Sequence, residues 1–104
     1  MTHKNRDEKS QKTRIPGENE CLGIVEQLLG YDRLKVRCAD GKTRICRIPG
    51  RMKKKIWISE GDLVLITPWD FQSDSRGDIV YKYEKDEVRK LKELGYGIDI
   101  INSQ

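Results

Sequence analysis

Apolar and polar residues alternate with a period of two over Arg33-Leu34-Lys35-Val36-Arg37-Cys38. That alternation predicts a strand with three cations on one face and its apolar side chains on the other. Upstream, Cys21 to Leu29 reads as a first strand, and Gly23 inside it predicts a bulge or a bend at a barrel corner. Gly30-Tyr31-Asp32 turns the chain between these two. Ala39-Asp40-Gly41 is a tight connection to a third strand over about Lys42 to Ile48, which Pro49-Gly50 ends. Ser59-Glu60-Gly61-Asp62 is a further turn, and the continuous apolar run Leu63-Val64-Leu65-Ile66 predicts the most buried strand. Thr67 to Asp78 reads as a polar loop, and Ile79 to Tyr83 as a fifth strand. Asp86 to Leu94 predicts a helix, with acids in its first turn, Lys92 near its end and Gly95 as its stop. Val88, Leu91 and Leu94 share one face of it, which should pack on the sheet.

The register of the second hairpin follows from its own residues. A two-residue loop would oppose Leu34 to Arg47 and place an arginine on the core face. A three-residue loop, with Gly41 in the left-handed conformation, opposes Leu34 to Cys46 instead and is the predicted one. It sends Lys35, Arg37, Ile45 and Arg47 to the outer face together. Arg44 is left nominally inward near the open end of the hairpin, where its long stem reaches the rim.

Five short strands and one helix predict an all-β domain. A five-stranded OB-fold barrel with an appended C-terminal helix and flexible termini fits best. An SH3-like barrel is the alternative, because strand count alone does not separate the two. The expected organisation is a basic leader over 1–14, the barrel over 15–84, the helix over 85–95 and a tail over 96–104. The leader is too polar to order itself; it is either a solvated tail or a basic arm that orders on nucleic acid. Ile98, Ile100 and Ile101 in the tail have no partner that the sequence identifies.

Charge changes this picture. Ten cationic side chains lie between Arg33 and Lys55 against the single acid Asp40, a net +9 in a 104-residue chain whose total is +4. The rest of the chain is therefore acidic, and stability alone gives no reason to collect like charges in one region. The outer sheet face would carry Arg33, Lys35, Arg37 and Arg47, and a projecting loop or short helical turn would carry Arg51, Lys53, Lys54 and Lys55. Such a surface is an address for a phosphate backbone. Strands two and three carry no aromatic ring, so the pattern favours docking onto a folded backbone over threading of a single strand. Trp57, between Ile56 and Ile58, is expected to be a partly buried plug, and Trp69 and Phe71 to be exposed rings.

Other classes find little support. No apolar run approaches the ~20 residues that cross a bilayer, and the first residues lead into polar sequence, so a soluble, cytoplasmic protein is expected. A monomer is expected as well. Cys21, Cys38 and Cys46 are odd in number and lie in apolar strands; they read as reduced core residues, without the short paired spacing of a zinc site. The one histidine is His3, outside the folded region, and no nucleophile, phosphate-loop or metal motif occurs. Asp70, Asp74 and Asp78 share one loop and could be imagined on magnesium, but turn chemistry explains them. No enzyme activity, cofactor or metal is expected.

The segment Gly50-Arg51-Met52-Lys53-Lys54-Lys55-Ile56-Trp57-Ile58 is more specific. With Leu34 to Gly41, Cys46-Arg47-Ile48, Gly61-Asp62, Lys82-Tyr83 and the following helix, it resembles the archaeal and eukaryotic translation initiation factor 1A family over about residues 15–95. The bacterial factor 1 is similar over Gly50 to Lys54. The resemblance implies an OB fold that binds the small ribosomal subunit near the decoding (A) site through ribosomal RNA. It implies promotion of subunit dissociation and stabilisation of initiator methionyl-tRNA binding, with other initiation factors as functional partners. By matching position, the loop role falls on Arg51, Lys53, Lys54 and Lys55, the sheet-face role on Arg37 and Arg47, and Trp57 sits at the same edge. The chain ends at Gln104 without the long acidic extension of eukaryotic members, so the archaeal branch is the better match. The functions of that extension are not carried over. A general RNA chaperone of cold-shock type is the alternative function, and it would be expected to carry stacking aromatics on strands two and three.

Overall fold

A computed structural model describes residues 14–30, 32–50 and 57–96. The strands are β1 (Cys21–Gly30), β2 (Arg33–Cys38), β3 (Thr43–Arg47), β4 (Leu63–Pro68) and β5 (Arg76–Lys82), followed by α1 (Lys85–Leu94). They close into a barrel in the order β1-β2-β3-β5-β4, with β4 returning to β1. All pairs are antiparallel except β3 with β5. This order is that of the OB fold, and it decides against the SH3-like alternative.

The β2–β3 hairpin has the expected register. Leu34 lies opposite Cys46 and Lys35 opposite Ile45. Gly41 adopts φ 90° at the end of a three-residue loop, where only glycine sits without strain. The Cys38 and Gly41 amides close that loop on the Lys42 and Cys38 carbonyls, at 2.8 and 3.0 Å.

Two apolar layers explain the uninterrupted hydrophobic runs. Val25, Leu34, Val36, Cys38, Cys46, Val64, Ile66 and Ile79 fill the barrel interior. Leu22, Ile24, Leu63, Leu65 and Tyr83 face outward instead and are covered by Leu91 of α1. β1 and β4 are thus buried on both faces, which is why their sequences lose the period of two.

Several expectations need correction. The bulges of β1 fall between Val25 and Gln27 and between Leu28 and Gly30, not at Gly23. Gly23 marks a close approach, because a Cβ there would stand 2.4 Å from Val36 Cγ1. β5 begins at Arg76, not Ile79, because Arg76, Gly77 and Asp78 pair in parallel with Ile45, Cys46 and Arg47. β4 runs on to Pro68 for the same reason, pairing with Gly77. A bulge in β5 then turns Tyr81 outward, opposite Leu65, while Ile79 stays inward opposite Ile66. On α1 Leu91 is fully buried and Val88 partly so, but Leu94 is 52% exposed and does not pack on the sheet.

α1 starts and stops as its sequence dictates. The Glu87 carboxylate accepts the Glu84 amide at 2.8 Å. Gly95 ends the helix at φ 89°, donating to the Lys92 carbonyl at 3.1 Å. Arg14, the last residue of the expected leader, is held: its carbonyl accepts the Tyr83 hydroxyl at 2.6 Å and its guanidinium lies 5.9 Å from the Tyr81 ring centre. The tail isoleucines lie outside the described residues. No helix among the described residues is long and apolar enough to cross a membrane.

Candidate nucleic-acid interface

The alternation of β2 does what its pattern requires. Leu34, Val36 and Cys38 point into the barrel, so Arg33, Lys35 and Arg37 point out. The register then places Arg47 directly opposite Arg33. Two arginines side by side on adjacent strands repel one another, a cost that sheet stability does not call for.

Nearby carboxylates partly answer this charge. Arg33 pairs with Asp32 at 2.6 Å, Arg37 with Glu26 at 3.1 Å and Arg47 with Asp78 at 3.5 Å. All three pairs are solvent-accessible, and exposed pairs contribute at most about 1 kcal/mol. A phosphate oxygen can therefore take the carboxylate's place at small cost. Lys35 makes no ion pair among the described residues and lines a shallow groove of about 580 Å³ with Arg37, Glu26, Gln27 and Gly61. Sequence patterning missed the carboxylates of Glu26 and Asp78 because each reaches the face from another strand.

Gly61 ties the groove to the Ser59–Asp62 turn. The Gly61 amide donates to the Val25 carbonyl at 2.8 Å and the Val25 amide to the Asp62 carbonyl at 3.0 Å. Lys82 braces the same corner, with its Nζ 2.7 Å from the Trp57 carbonyl and 3.6 Å from the Asp62 carboxylate. On the other side, the Ile48 amide donates to the Asp32 carbonyl at 2.8 Å. Ile48 and Ile58 both pack on the interior cluster. The cationic segment is thus flanked by two fixed ends beside the cationic face. Arg51, Lys53, Lys54 and Lys55 themselves lie outside the described residues.

The aromatic side chains reverse two expectations. Trp57 is not a plug: its ring is 83% exposed, because Ile58 takes the packing position beside it. Trp69 is half-buried rather than exposed, its Nε1 donating to Asp78 at 3.0 Å. Phe71 is 86% exposed, as expected. Asp78 also pairs with Arg47, so of the three loop aspartates it is committed to two side chains of the fold.

Arg44 points inward, as the register requires, and is 3% exposed. Its two terminal nitrogens reach the Asp40 carboxylate at 3.2 and 2.8 Å, and Nε donates to the Ser73 carbonyl at 2.6 Å. That guanidinium holds the Asp40 carboxyl below its usual range. The three thiols are free, and Cys38 and Cys46 are buried. Cys21 is only half-buried; the adjacent Cys38 thiol stabilises its thiolate and draws its pKa down.

A family model described as Translation initiation factor 1A / IF-1 matches residues 10–103. The chain is 48% identical over 96 residues to Translation initiation factor 1A of Methanothermobacter thermautotrophicus, covering 92% of this chain and 97% of that protein. It is 52% identical over 89 residues to the Methanopyrus kandleri protein of the same name, covering 86% and 79%. Among solved structures, it is similar to the bacterial translation initiation factor 1 from a Wolbachia endosymbiont of Brugia malayi. That likeness has a TM-score of 0.50 and 27% identity, over 84% of this chain and 97% of that one.

Proposed function

Since the chain belongs to the translation initiation factor 1A / IF-1 family, we propose that it binds the small ribosomal subunit near the A site through ribosomal RNA. In this reading it promotes dissociation into subunits and stabilises initiator methionyl-tRNA binding, working with other initiation factors in the cytoplasm. It acts by binding rather than by catalysis. The observation that carries the reading is the outward array of Arg33, Lys35, Arg37 and Arg47, with Ile48 and Ile58, on either side of the cationic sequence in the chain, packed on the interior cluster.

The mechanism is electrostatic docking. Arg51, Lys53, Lys54 and Lys55 take phosphates on a folded RNA, and the sheet-face cations take adjoining ones. Release of condensed counterions drives the contact, and the exposed carboxylate pairs set a low cost for each exchange. Trp57, solvent-exposed at the same edge, supplies a stacking surface for a base. The barrel then occupies space at the A site. A cold-shock-type chaperone is disfavoured by β2 and β3, which hold no aromatic residue to stack a single strand.

Replacing Lys53, Lys54 and Lys55 together by alanine tests this. Affinity for purified small subunits should fall by about 10-fold or more at physiological salt, with the melting temperature unchanged. Unchanged affinity would remove the segment from the interface.

A further inference from the structure

We propose that Cys21, Cys38 and Asp40 form a binding site for one borderline-soft divalent metal ion of the zinc class. The site lies apart from the cationic face and does not rest on the ribosomal reading.

The three residues are distant in sequence from any metal motif, yet strand pairing gathers them. Gly23 lies opposite Cys38, and the Ala39 amide extends the ladder to the Leu22 carbonyl at 2.8 Å. That register sets the first residue of β1 against the turn that follows β2. One donor atom from each of Cys21, Cys38 and Asp40 comes within 4.8 Å of the others.

Ligand chemistry suits zinc. Two thiolates and one carboxylate form a three-residue set, and a tetrahedral ion keeps its fourth position for water. With Zn–S bonds near 2.3 Å, two sulfurs on one ion stand ~3.8 Å apart. With all donors already within 4.8 Å of one another, the sulfurs need close by no more than roughly 1 Å. Cys21, half-buried at the start of β1, is the more accessible of the two thiols.

Access and charge agree. Two clefts of about 510 and 320 Å³ share Glu20, Cys21 and Asp40 in their walls, so an ion reaches Cys21 and Asp40 from solvent, with the buried Cys38 thiol behind them. Binding sends the thiol protons to water. Two thiolates and a carboxylate against a divalent ion leave one negative charge, and the buried Arg44 guanidinium cancels it. Arg44 and the Lys42 amide also fix the Asp40 carboxylate, at 2.8 and 3.1 Å, as outer partners of a metal ligand do.

The full chain, kept reduced, is titrated with cobalt(II) as a spectroscopic probe. One cobalt per chain should bind with an intense thiolate-to-metal charge-transfer band, and zinc should displace it and raise the melting temperature. Cys21→Ser should lose the band and weaken binding by more than about 100-fold, beyond what outer-partner losses cause. Cys46→Ala, which removes the thiol outside the set, should keep both. In the unmutated chain, zinc should also protect Cys21 from iodoacetamide. Absence of the thiolate band, its survival in Cys21→Ser, or unprotected Cys21 would each overturn the site.

Discussion

Arg44 shows how one side chain can be misplaced by composition and placed by register. An arginine on the core face of β3 looks like an error until its guanidinium reaches Asp40 and the Ser73 carbonyl at the barrel rim. Removing one partner of a buried pair strands a charge and costs about 3–5 kcal/mol. Asp40 is 39% exposed, so water softens that loss here. Asp40→Asn should therefore cost about 2 kcal/mol in urea unfolding at neutral pH with a chelator present. Its hairpin should keep its register. The period of two and one glycine were enough to foresee this residue's direction. They were not enough to foresee Trp57 and Trp69, whose exposure depends on which neighbour wins a packing site. Nor could spacing reveal that Cys21 meets Cys38, since their encounter is a property of β1–β2 pairing.

At the scale of elements, α1 is attached through few contacts. Leu91 is its one fully buried side chain, seated on Leu22, Ile24, Leu63, Leu65 and Tyr83. Leu91→Ala should cost about 2–5 kcal/mol by chemical unfolding. Leu94→Ala, on a side chain that stays exposed, should change stability by less than about 0.5 kcal/mol. Similar effects for both would mean that helix propensity, not docking, holds the element. Strand existence and the β2–β3 register were legible because each strand carries its own pattern and turn. The start of β5 was not. Arg76-Gly77-Asp78 resembles a turn, and only its partner β3 makes it a strand. The loop reading of the lysine-rich segment Arg51 to Lys55 falls outside the described residues.

For the whole molecule, charge separation is the organising fact. The region Arg33–Lys55 holds ten cations and one acid while the remainder is net acidic. RNA affinity should fall along a straight line of log affinity against log salt. The triple lysine replacement should lower that slope by about 2–3, one phosphate contact per residue. A slope independent of salt would exclude phosphate contacts as the driving interaction. Composition alone made this visible. The carboxylates that temper the face were hidden, since Glu26 and Asp78 come to it from β1 and β5.

Barrel closure has a consequence for biosynthesis. Among the described residues β5 is the last strand in chain order, yet it is wedged between β3 and β4. A nascent chain that has emerged only as far as residue 75 exposes two raw sheet borders and an uncovered interior. Cotranslational closure of the barrel must therefore wait until β5 has emerged to fill the gap between β3 and β4.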